Sequence, residues 1–247
     1  MEKQEYQKHF ELEQDFWWFA GKRLVVLSIL KFRKILDGNT HTLDVGCGTG
    51  YNLKVFQEYG SAAGCDISLE ALNYSKQRGL QKITQANAEE LPFKDNSFDL
   101  ITLLDVLYHK NVQSDVNALK ETRRVLKQDG FLLITDSAFN FLRSRHDLAF
   151  HTRERYTRKS LCRRLEQADF KAVKICYYNF FLFFLIAFIR LLGKRPLKKK
   201  NKVESDLKQV HPVINAVLLS VLKLEARLIK RVNFPFGSSI LCLVKKT

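Results

Sequence analysis

The stretch Asp44-Val45-Gly46-Cys47-Gly48-Thr49-Gly50 decides the fold of this 247-residue chain. A short run from His41 to Leu43 precedes it and predicts a strand, and Tyr51 to Tyr59 behind it predicts a helix. Glycines at three alternate positions allow a tight turn and let a ligand touch bare main chain. Asp66 ends the next apolar run, about 20 residues on, where a carboxylate suits the hydroxyl groups of a ligand.

Strand and helix patterns alternate along most of the chain, which implies a parallel sheet with helices on both faces. The predicted strands are 41–46, 61–66, 81–85, 99–104 and 130–136, and the predicted helices between them are 50–59, 69–78 and 113–127. A helix over 160–168 then leads to a strand over 170–178, and a last strand covers 238–246. About sixty residues separate these two late strands, far more than a hairpin loop needs.

The glycine spacing is Gly-x-Gly-x-Gly, which differs from the Gly-x-Gly-x-x-Gly of nicotinamide and flavin folds. Three further segments follow in order: Asn87–Phe93, Ser97–Ile101 and Arg124–Gly130. As a set they resemble the adenine-contacting segment, the fourth strand and the turn before the fifth strand of the class I S-adenosylmethionine-dependent methyltransferases, type 11-like. The resemblance covers roughly residues 40–136. The family's usual Pro-Gly-Gly reads Gln-Asp-Gly in this turn.

This resemblance implies an α/β fold: a Rossmann-like, doubly wound seven-stranded sheet, mostly parallel with an antiparallel C-terminal hairpin. We expect a helical lid over residues 1–36, a cofactor-binding core over 37–179 and 237–247, and an α-helical insert over 180–236 between the last two strands. The implied cofactor is S-adenosylmethionine, with S-adenosylhomocysteine as product and no metal. The implied cofactor-binding residues are Asp44, Gly46, Cys47, Gly48, Gly50, Asp66, Ile67, Asn87, Ala88, Glu89 and Leu104.

An aromatic segment, Asp15 to Arg23, marks the N-terminal region. It is similar to a Trp-Trp-Phe-x-Gly-Arg-Arg segment of a bacterial and archaeal methyltransferase subgroup associated with glycan or lipid modification. The resemblance implies that it folds over the cofactor pocket as a lid, with Trp17 and Trp18 on the substrate side. The same aromatics could instead fasten the helix to the core, and the two roles are compatible.

Candidates for the acceptor chemistry follow the fourth and fifth strands, where open α/β sheets bind ligands. Tyr108 and His109 follow the fourth strand. The segment after the fifth strand resembles the subgroup's His-Asp, His and Arg-Tyr-Thr pattern, with the second His displaced by one place to His151. We therefore expect His146 to be the better base, while His109 is more simply a structural histidine. The expected catalytic residues are His146, His109 and Tyr156, and the expected substrate residues include Tyr108, His151 and Arg155.

Charge divides the chain into two unlike parts. Residues 1–150 hold 19 Lys and Arg against 20 Asp and Glu, whereas residues 151–247 hold 22 against 6, a net of +16. Such an excess indicates an anionic partner, either nucleic acid or an anionic membrane surface. The five cysteines are odd in number and include no Cys-x-x-Cys pair, which favours a reduced cytoplasm over a disulfide framework or a zinc site.

The predicted insert contains an apolar run, Phe180 to Ile189, too short to span a bilayer as a helix, which needs about 20 residues. A basic cluster follows, from Lys194 to Lys202, and then an amphipathic helix is predicted from Pro212 to Val232. The apolar face of this helix is Ile214, Val217, Leu218, Val221 and Leu228, and its basic face is Lys223, Arg227, Lys230 and Arg231. Together these features favour docking at a membrane interface over simple packing at the sheet edge.

These observations favour a methyltransferase that modifies an oxygen of an amphiphile, such as a lipid-linked sugar, a polyprenyl lipid or a quinone-like ring. We expect a cytoplasmic protein, peripheral on the inner face of the membrane, with no signal peptide in its polar N-terminal residues. An RNA methyltransferase is the first alternative, although Leu104 to Tyr108 lacks the Asn/Asp-Pro-Pro-Tyr signature of amino-group methylation. A catalytically silent, cofactor-binding partner subunit is the second. The oligomeric state is left open.

Overall fold

The computed structural model describes residues 3–192 and 210–247, and it describes Lys3, Gln4, Arg145, His146 and Leu192 without their side chains. The basic cluster expected at Lys194 to Lys202 lies outside the described residues.

A single seven-stranded sheet forms the centre of the protein, in the order β3-β2-β1-β4-β5-β7-β6. The first five strands in this order are parallel, and β7 runs antiparallel to both β5 and β6. The expected doubly wound sheet with an antiparallel C-terminal edge is thereby confirmed. The strands are β1 Thr42–Val45, β2 Ala62–Asp66, β3 Ile83–Gln85, β4 Phe98–Leu104, β5 Leu126–Ser137, β6 Lys171–Tyr178 and β7 Ser239–Lys245.

Helices cover both faces of the sheet, and its central strands are buried on both sides. All four residues of β1 are buried, and β4 is buried from Leu100 to Leu104. Two large apolar clusters lie on opposite faces, one beneath α5 and α7 and the other beneath α2, α3 and α9. The helices are α1 Lys3–Leu12, α2 Trp17–Phe32, α3 Tyr51–Phe56, α4 Leu69–Gln77, α5 Asp115–Val125, α6 Arg145–Ala149, α7 Arg158–Gln167, α8 Phe183–Leu192 and α9 Pro212–Ile229.

Helix α9, from the predicted insert, lies along α2. The two helices approach closely at Gly21, where an added Cβ would stand 2.1 Å from Leu222 Cδ1. Their N-terminal ends are also joined, since the Trp17 amide donates to Asn215 Oδ1 at 2.8 Å. The start of α2, which carries the aromatic segment, is therefore held by the insert.

Helix α8 is attached to α9 through one buried carboxylate. Glu225, on the inner face of α9, accepts from the amides of Asn179 and Phe180, just before α8 begins. Glu225 is 0% exposed. Burial raises the pKa of this carboxyl, and the amide donors oppose the rise.

The apolar stripe predicted on α9 is only partly exposed, since Leu218 and Val221 are half-buried. The residues of α9 that pack inward are Leu222, Glu225, Ala226 and Ile229. Ile214, Val217 and Leu228 are exposed instead. Helix α8 also carries exposed apolar side chains, of which Phe184 is 70% and Phe188 62% exposed. Among the described residues, no helix has the length and apolar character needed to cross a membrane.

Candidate functional site

A cavity of about 590 Å³ opens at the carboxyl ends of β1, β2 and β4. This is the edge at which open α/β sheets bind ligands, and the volume is within the range of small-molecule pockets. One side of the cavity is the turn that contains Gly46, Cys47 and Gly48. Helix α1 and the first turns of α2 form the other side, through residues that include His9 and Phe19.

The glycine turn needs its glycines for two different reasons. Gly46 has a φ of +73°, and a Cβ there would lie 2.5 Å from Val106. Gly48 also has a positive φ, +58°, but a Cβ there would meet no atom within 4 Å. The main chain at Gly48 therefore faces open space in which a ligand can touch it. Gly50, by contrast, caps α3 and does not line the cavity.

Asp66, at the end of β2, both shapes the turn and faces the cavity. Its Oδ2 accepts from the Gly48 amide at 2.9 Å, and its Oδ1 accepts from the Ser68 amide at 2.8 Å. A carboxylate can accept about four hydrogen bonds, so capacity is left for ligand hydroxyls. Burial raises the pKa of Asp66, while the two amides oppose the rise. Ile67, the next residue, lines the cavity as well.

Asp44 lies beneath the turn instead of lining the cavity. It is 2% exposed and accepts from Thr102 Oγ1 at 2.6 Å. Burial raises its pKa to about 7, against the opposing effects of Thr102 and the Lys22 charge. Asp44 is therefore joined to β4 through Thr102 and does not face the ligand directly.

In the segment after β3, two residues line the cavity and the third contacts the start of α5. Asn87 and Ala88 line the cavity. Glu89 does not, because its carboxylate accepts from the amides of Gln113 and Ser114 at the start of α5. Leu104, at the end of β4, lines the cavity.

Helix α1 and the connection to α2 are fastened to the glycine turn. Glu13, 8% exposed, accepts from Thr49 Oγ1 and from the Arg78 guanidinium at 2.8 Å. Arg78 also donates to the carbonyls of Thr49 and Phe10. Burial raises the pKa of Glu13, and its two partners oppose the rise. This network places Tyr6, His9 and Glu13 over the cavity, and the sequence predicted none of the three as site residues.

The other half of the cavity is aromatic and carries two imidazoles. Tyr108, Phe150 and Trp18 line it, together with His109 and His151. The two imidazole rings are 5.9 Å apart between centroids. Burial lowers the pKa of His109 to about 4, so that the ring is neutral at physiological pH. His109 Nδ1 accepts from the Asn111 amide.

Two expected acceptor residues, Arg155 and Tyr156, are buried away from the cavity. Arg155 donates to both oxygens of Asp147 and to the carbonyl of Ala138. Tyr156, 0% exposed, donates its hydroxyl to Asp115 at 2.9 Å. Both therefore support the segment around the site, and neither contacts the cavity. Trp17, similarly, does not line it. His146 lies in α6, and its side chain is outside the described residues.

Residues 43–134 match the family model described as a methyltransferase domain. Within these residues the chain carries a methyltransferase domain of the class I S-adenosylmethionine-dependent kind. The matched region contains the glycine turn, Asp66 and the segment after β3.

Three relatives of this methyltransferase family illustrate the range of similarity. An uncharacterized protein of Methanocaldococcus jannaschii is 42% identical over 114 residues, which are 46% of this chain and 42% of that protein. A demethylmenaquinone methyltransferase of Lactiplantibacillus plantarum is 35% identical over 42% of this chain and 47% of its own length. A probable tRNA methyltransferase of Bos taurus is 37% identical over 37% of this chain and 20% of its own length. The chain thus matches less than half of the length of each.

A solved methyltransferase structure resembles nearly the whole chain. The crystal structure of a possible histamine N-methyltransferase from Thermotoga maritima has a TM-score of 0.61 and 19% sequence identity. It covers 99% of this chain and 96% of its own. At this identity the likeness shows the shared fold alone.

The cavity fits S-adenosylmethionine in its chemistry. The open main chain at Gly48 leaves room for the cofactor beside the turn. Asp66 offers a carboxylate to ribose hydroxyls, and Asn87 and Ala88 face the same cavity. Acidic side chains outnumber basic ones along the wall, which suits a ligand that carries a sulfonium and an ammonium.

Proposed function

We propose that the protein transfers the methyl group of S-adenosylmethionine to an oxygen of an amphiphilic acceptor at a membrane surface. The observation that carries the proposal is one cavity with two unlike halves. The half at Gly48 and Asp66 suits the cofactor, and the half at Tyr108, His109 and Phe150 suits an acceptor with an apolar body. The acceptor classes that fit are a lipid-linked sugar, a polyprenyl lipid and a quinone-like ring.

The bound cofactor would supply an electrophilic methyl group to this site. The protein's own contribution is to exclude water, to align the acceptor oxygen and to accept its proton. His146 is the preferred proton acceptor, as the sequence indicates. His109 lines the cavity, but its Nδ1 already accepts from the Asn111 amide, so the neutral ring carries its proton on Nε2 and can donate a hydrogen bond to the acceptor. Tyr156 acts through the segment that it supports, because Asp115 accepts from its hydroxyl.

Residues 1–36 act in this proposal as a lid over the cofactor. The support is the network that joins Glu13 to Thr49 and Arg78, which fastens α1 across the glycine turn. Trp18 and Phe19 would cover the acceptor half, since both line the cavity. Aromatic walls around the reacting atoms would keep water from competing with the acceptor.

Membrane docking in this proposal uses the outward surfaces of α8 and α9. Exposed apolar patches of this kind mark interaction sites in soluble proteins. The patch on α8 is Phe184, Leu185, Phe188, Ile189 and Leu191, each at least 48% exposed. The net charge of +16 in residues 151–247 suits an anionic lipid surface, to which each Lys or Arg near the surface contributes about 1 kcal/mol.

The second candidate function is methylation of RNA. The positive charge of the C-terminal part favours it, as does the similarity to a probable tRNA methyltransferase. The exposed side chains of α8 argue against it, because they are apolar along most of one helix. A catalytically silent partner subunit is the remaining alternative, and it predicts cofactor binding without methyl transfer.

Calorimetry with S-adenosylhomocysteine tests the cofactor half of the proposal. We expect saturable binding to the wild-type protein and little binding of NAD. Asp66→Ala should lower the affinity by roughly 10- to 100-fold, since each lost hydrogen bond to a charged acceptor contributes about 1.5–3 kcal/mol. Glu58→Ala, at an exposed position that does not line the cavity, is the matched control. Unchanged affinity in Asp66→Ala, or a preference for NAD, would contradict the assignment.

A further inference from the structure

Lys22 is a buried cation that lines the cavity and has no role yet in cofactor or acceptor binding. It lies on α2, is 8% exposed and lines the cavity. Among the described residues that line the cavity, it is the sole Lys or Arg. Its Nζ donates to Asp105 Oδ2 at 2.5 Å. A lysine at this depth has to be compensated by an anion, and Asp105 provides one.

Asp105 has an unusual backbone for an aspartate. It directly follows β4 and has a φ of +63°, in the left-handed region that non-glycine residues seldom adopt. Its amide donates to the Thr135 carbonyl at 2.7 Å, which helps to hold this conformation. Such conformations concentrate at ligand sites, where the surrounding structure maintains them. The result is a carboxylate that faces both Lys22 and the cavity.

The pair lies on the cofactor side of the cavity, close to the glycine turn. Lys22 is near enough to Asp44, beneath the turn, to act on its ionisation. Val106, the residue after Asp105, contacts the position where a Cβ of Gly46 would stand. An ammonium and a carboxylate that line this cavity thus lie near the main chain that the cofactor is expected to touch.

We propose that Lys22 and Asp105 form a clamp for a zwitterionic α-amino acid group, the methionine end of the cofactor. This rests on the proposed function. Lys22 would donate to the ligand's α-carboxylate, and Asp105 would accept from its α-ammonium. The ammonium of Lys22 has three donors, so it can keep Asp105 as a partner while it binds the ligand. The four charges would alternate in sign around the site, which avoids an unpaired buried charge.

Calorimetry with three ligands distinguishes the contribution of Lys22 to binding from that of Asp105, because the ligands differ in their charged groups. S-adenosylhomocysteine carries both charged groups, decarboxylated S-adenosylmethionine lacks the carboxylate, and 5′-methylthioadenosine lacks the whole amino acid group. We expect Lys22→Met to weaken S-adenosylhomocysteine binding by roughly 10- to 100-fold, as for a lost charged hydrogen bond. The same variant should bind 5′-methylthioadenosine and the decarboxylated ligand as the wild type does, within a factor of about 3.

Asp105→Asn should give the complementary pattern. It should weaken both ligands that carry the ammonium and leave 5′-methylthioadenosine binding unchanged. Lys22→Arg keeps the charge and should retain most of the affinity for S-adenosylhomocysteine. Lys31→Met is the matched control on the same helix, since Lys31 lies over the Tyr59 ring and away from the cavity.

Thermal unfolding of each variant shows that a change in affinity does not come from a misfolded protein. If Lys22→Met and Asp105→Asn weaken all three ligands equally, or weaken none, the clamp is wrong. If the wild-type protein binds none of the three ligands, the proposed function itself fails, which is a different result.

Discussion

Arg155 and Asp147 form a two-point ion pair inside the protein, with both side chains 1% exposed. The guanidinium donates to both carboxylate oxygens, at 2.7 and 3.1 Å. The pair joins α6 to the chain that leads into α7. A third donor of Arg155 reaches the Ala138 carbonyl, just after β5. Arg155, which the sequence predicted as a substrate residue, therefore stabilises the segment behind the acceptor half of the cavity.

Replacement of Arg155 by Met should strongly destabilise the protein. It would leave the Asp147 carboxylate buried without its partner, and breaking a buried ion pair from one side costs about 3–5 kcal/mol. Urea unfolding measures the loss. Arg158→Met, at an exposed position, should change the free energy of unfolding by less than about 0.5 kcal/mol. Equal stability of the two variants would show that the pair does not support the fold.

The features that the sequence predicted are those that depend on residues close together in the chain. The glycine turn, Asp66 at the end of β2 and the order of the strands follow from local spacing and apolar runs. Glu13 with Arg78, and Lys22 with Asp105, are far apart in the chain and meet only when α1 and α2 pack over the sheet. For the same reason, the periodicity of α9 does not show that Leu222, Ala226 and Ile229 pack inward.

The titration of His109 should appear in the pH dependence of stability. Burial lowers its pKa from 6.5 to about 4 in the folded protein, so the unfolded chain binds more protons between these values. Stability should therefore fall as the pH is lowered from about 6.5 to about 4. His109→Asn should flatten this slope in urea unfolding series across that range. An unchanged slope would contradict the burial of a neutral imidazole.

Glu225 should hold α8 in place. Glu225→Ala would remove the acceptor of the Asn179 and Phe180 amides, and an unsatisfied buried donor costs about 1–3 kcal/mol. Urea unfolding should show a loss of this size, and proteolysis should become faster near α8. Lys223→Ala, exposed on the same helix, should leave both unchanged. If Glu225→Ala behaves as Lys223→Ala does, the attachment of α8 has been misassigned.

Phe184 and Phe188 should be needed for membrane association. Changing both to Ser would remove the two most exposed aromatic side chains of α8, and it should lower flotation with vesicles that contain anionic lipid. Binding of the wild type should weaken with salt without being abolished, since buried apolar area is not screened. Val173→Ser, an exposed position on β6, is the control. If the double variant floats as the wild type does, α8 does not contribute to membrane binding.

Methyl transfer from S-adenosylmethionine labelled in its methyl group tests the central claim most directly. The wild-type protein is supplied with a membrane lipid extract and, separately, with total RNA, and Asp66→Ala serves as the variant with weakened cofactor binding. We expect label in the organic-soluble fraction of the lipid reaction, less label with Asp66→Ala, and no label in RNA. Label in RNA alone would contradict the amphiphilic acceptor, and cofactor binding without transfer to either would indicate a silent partner subunit.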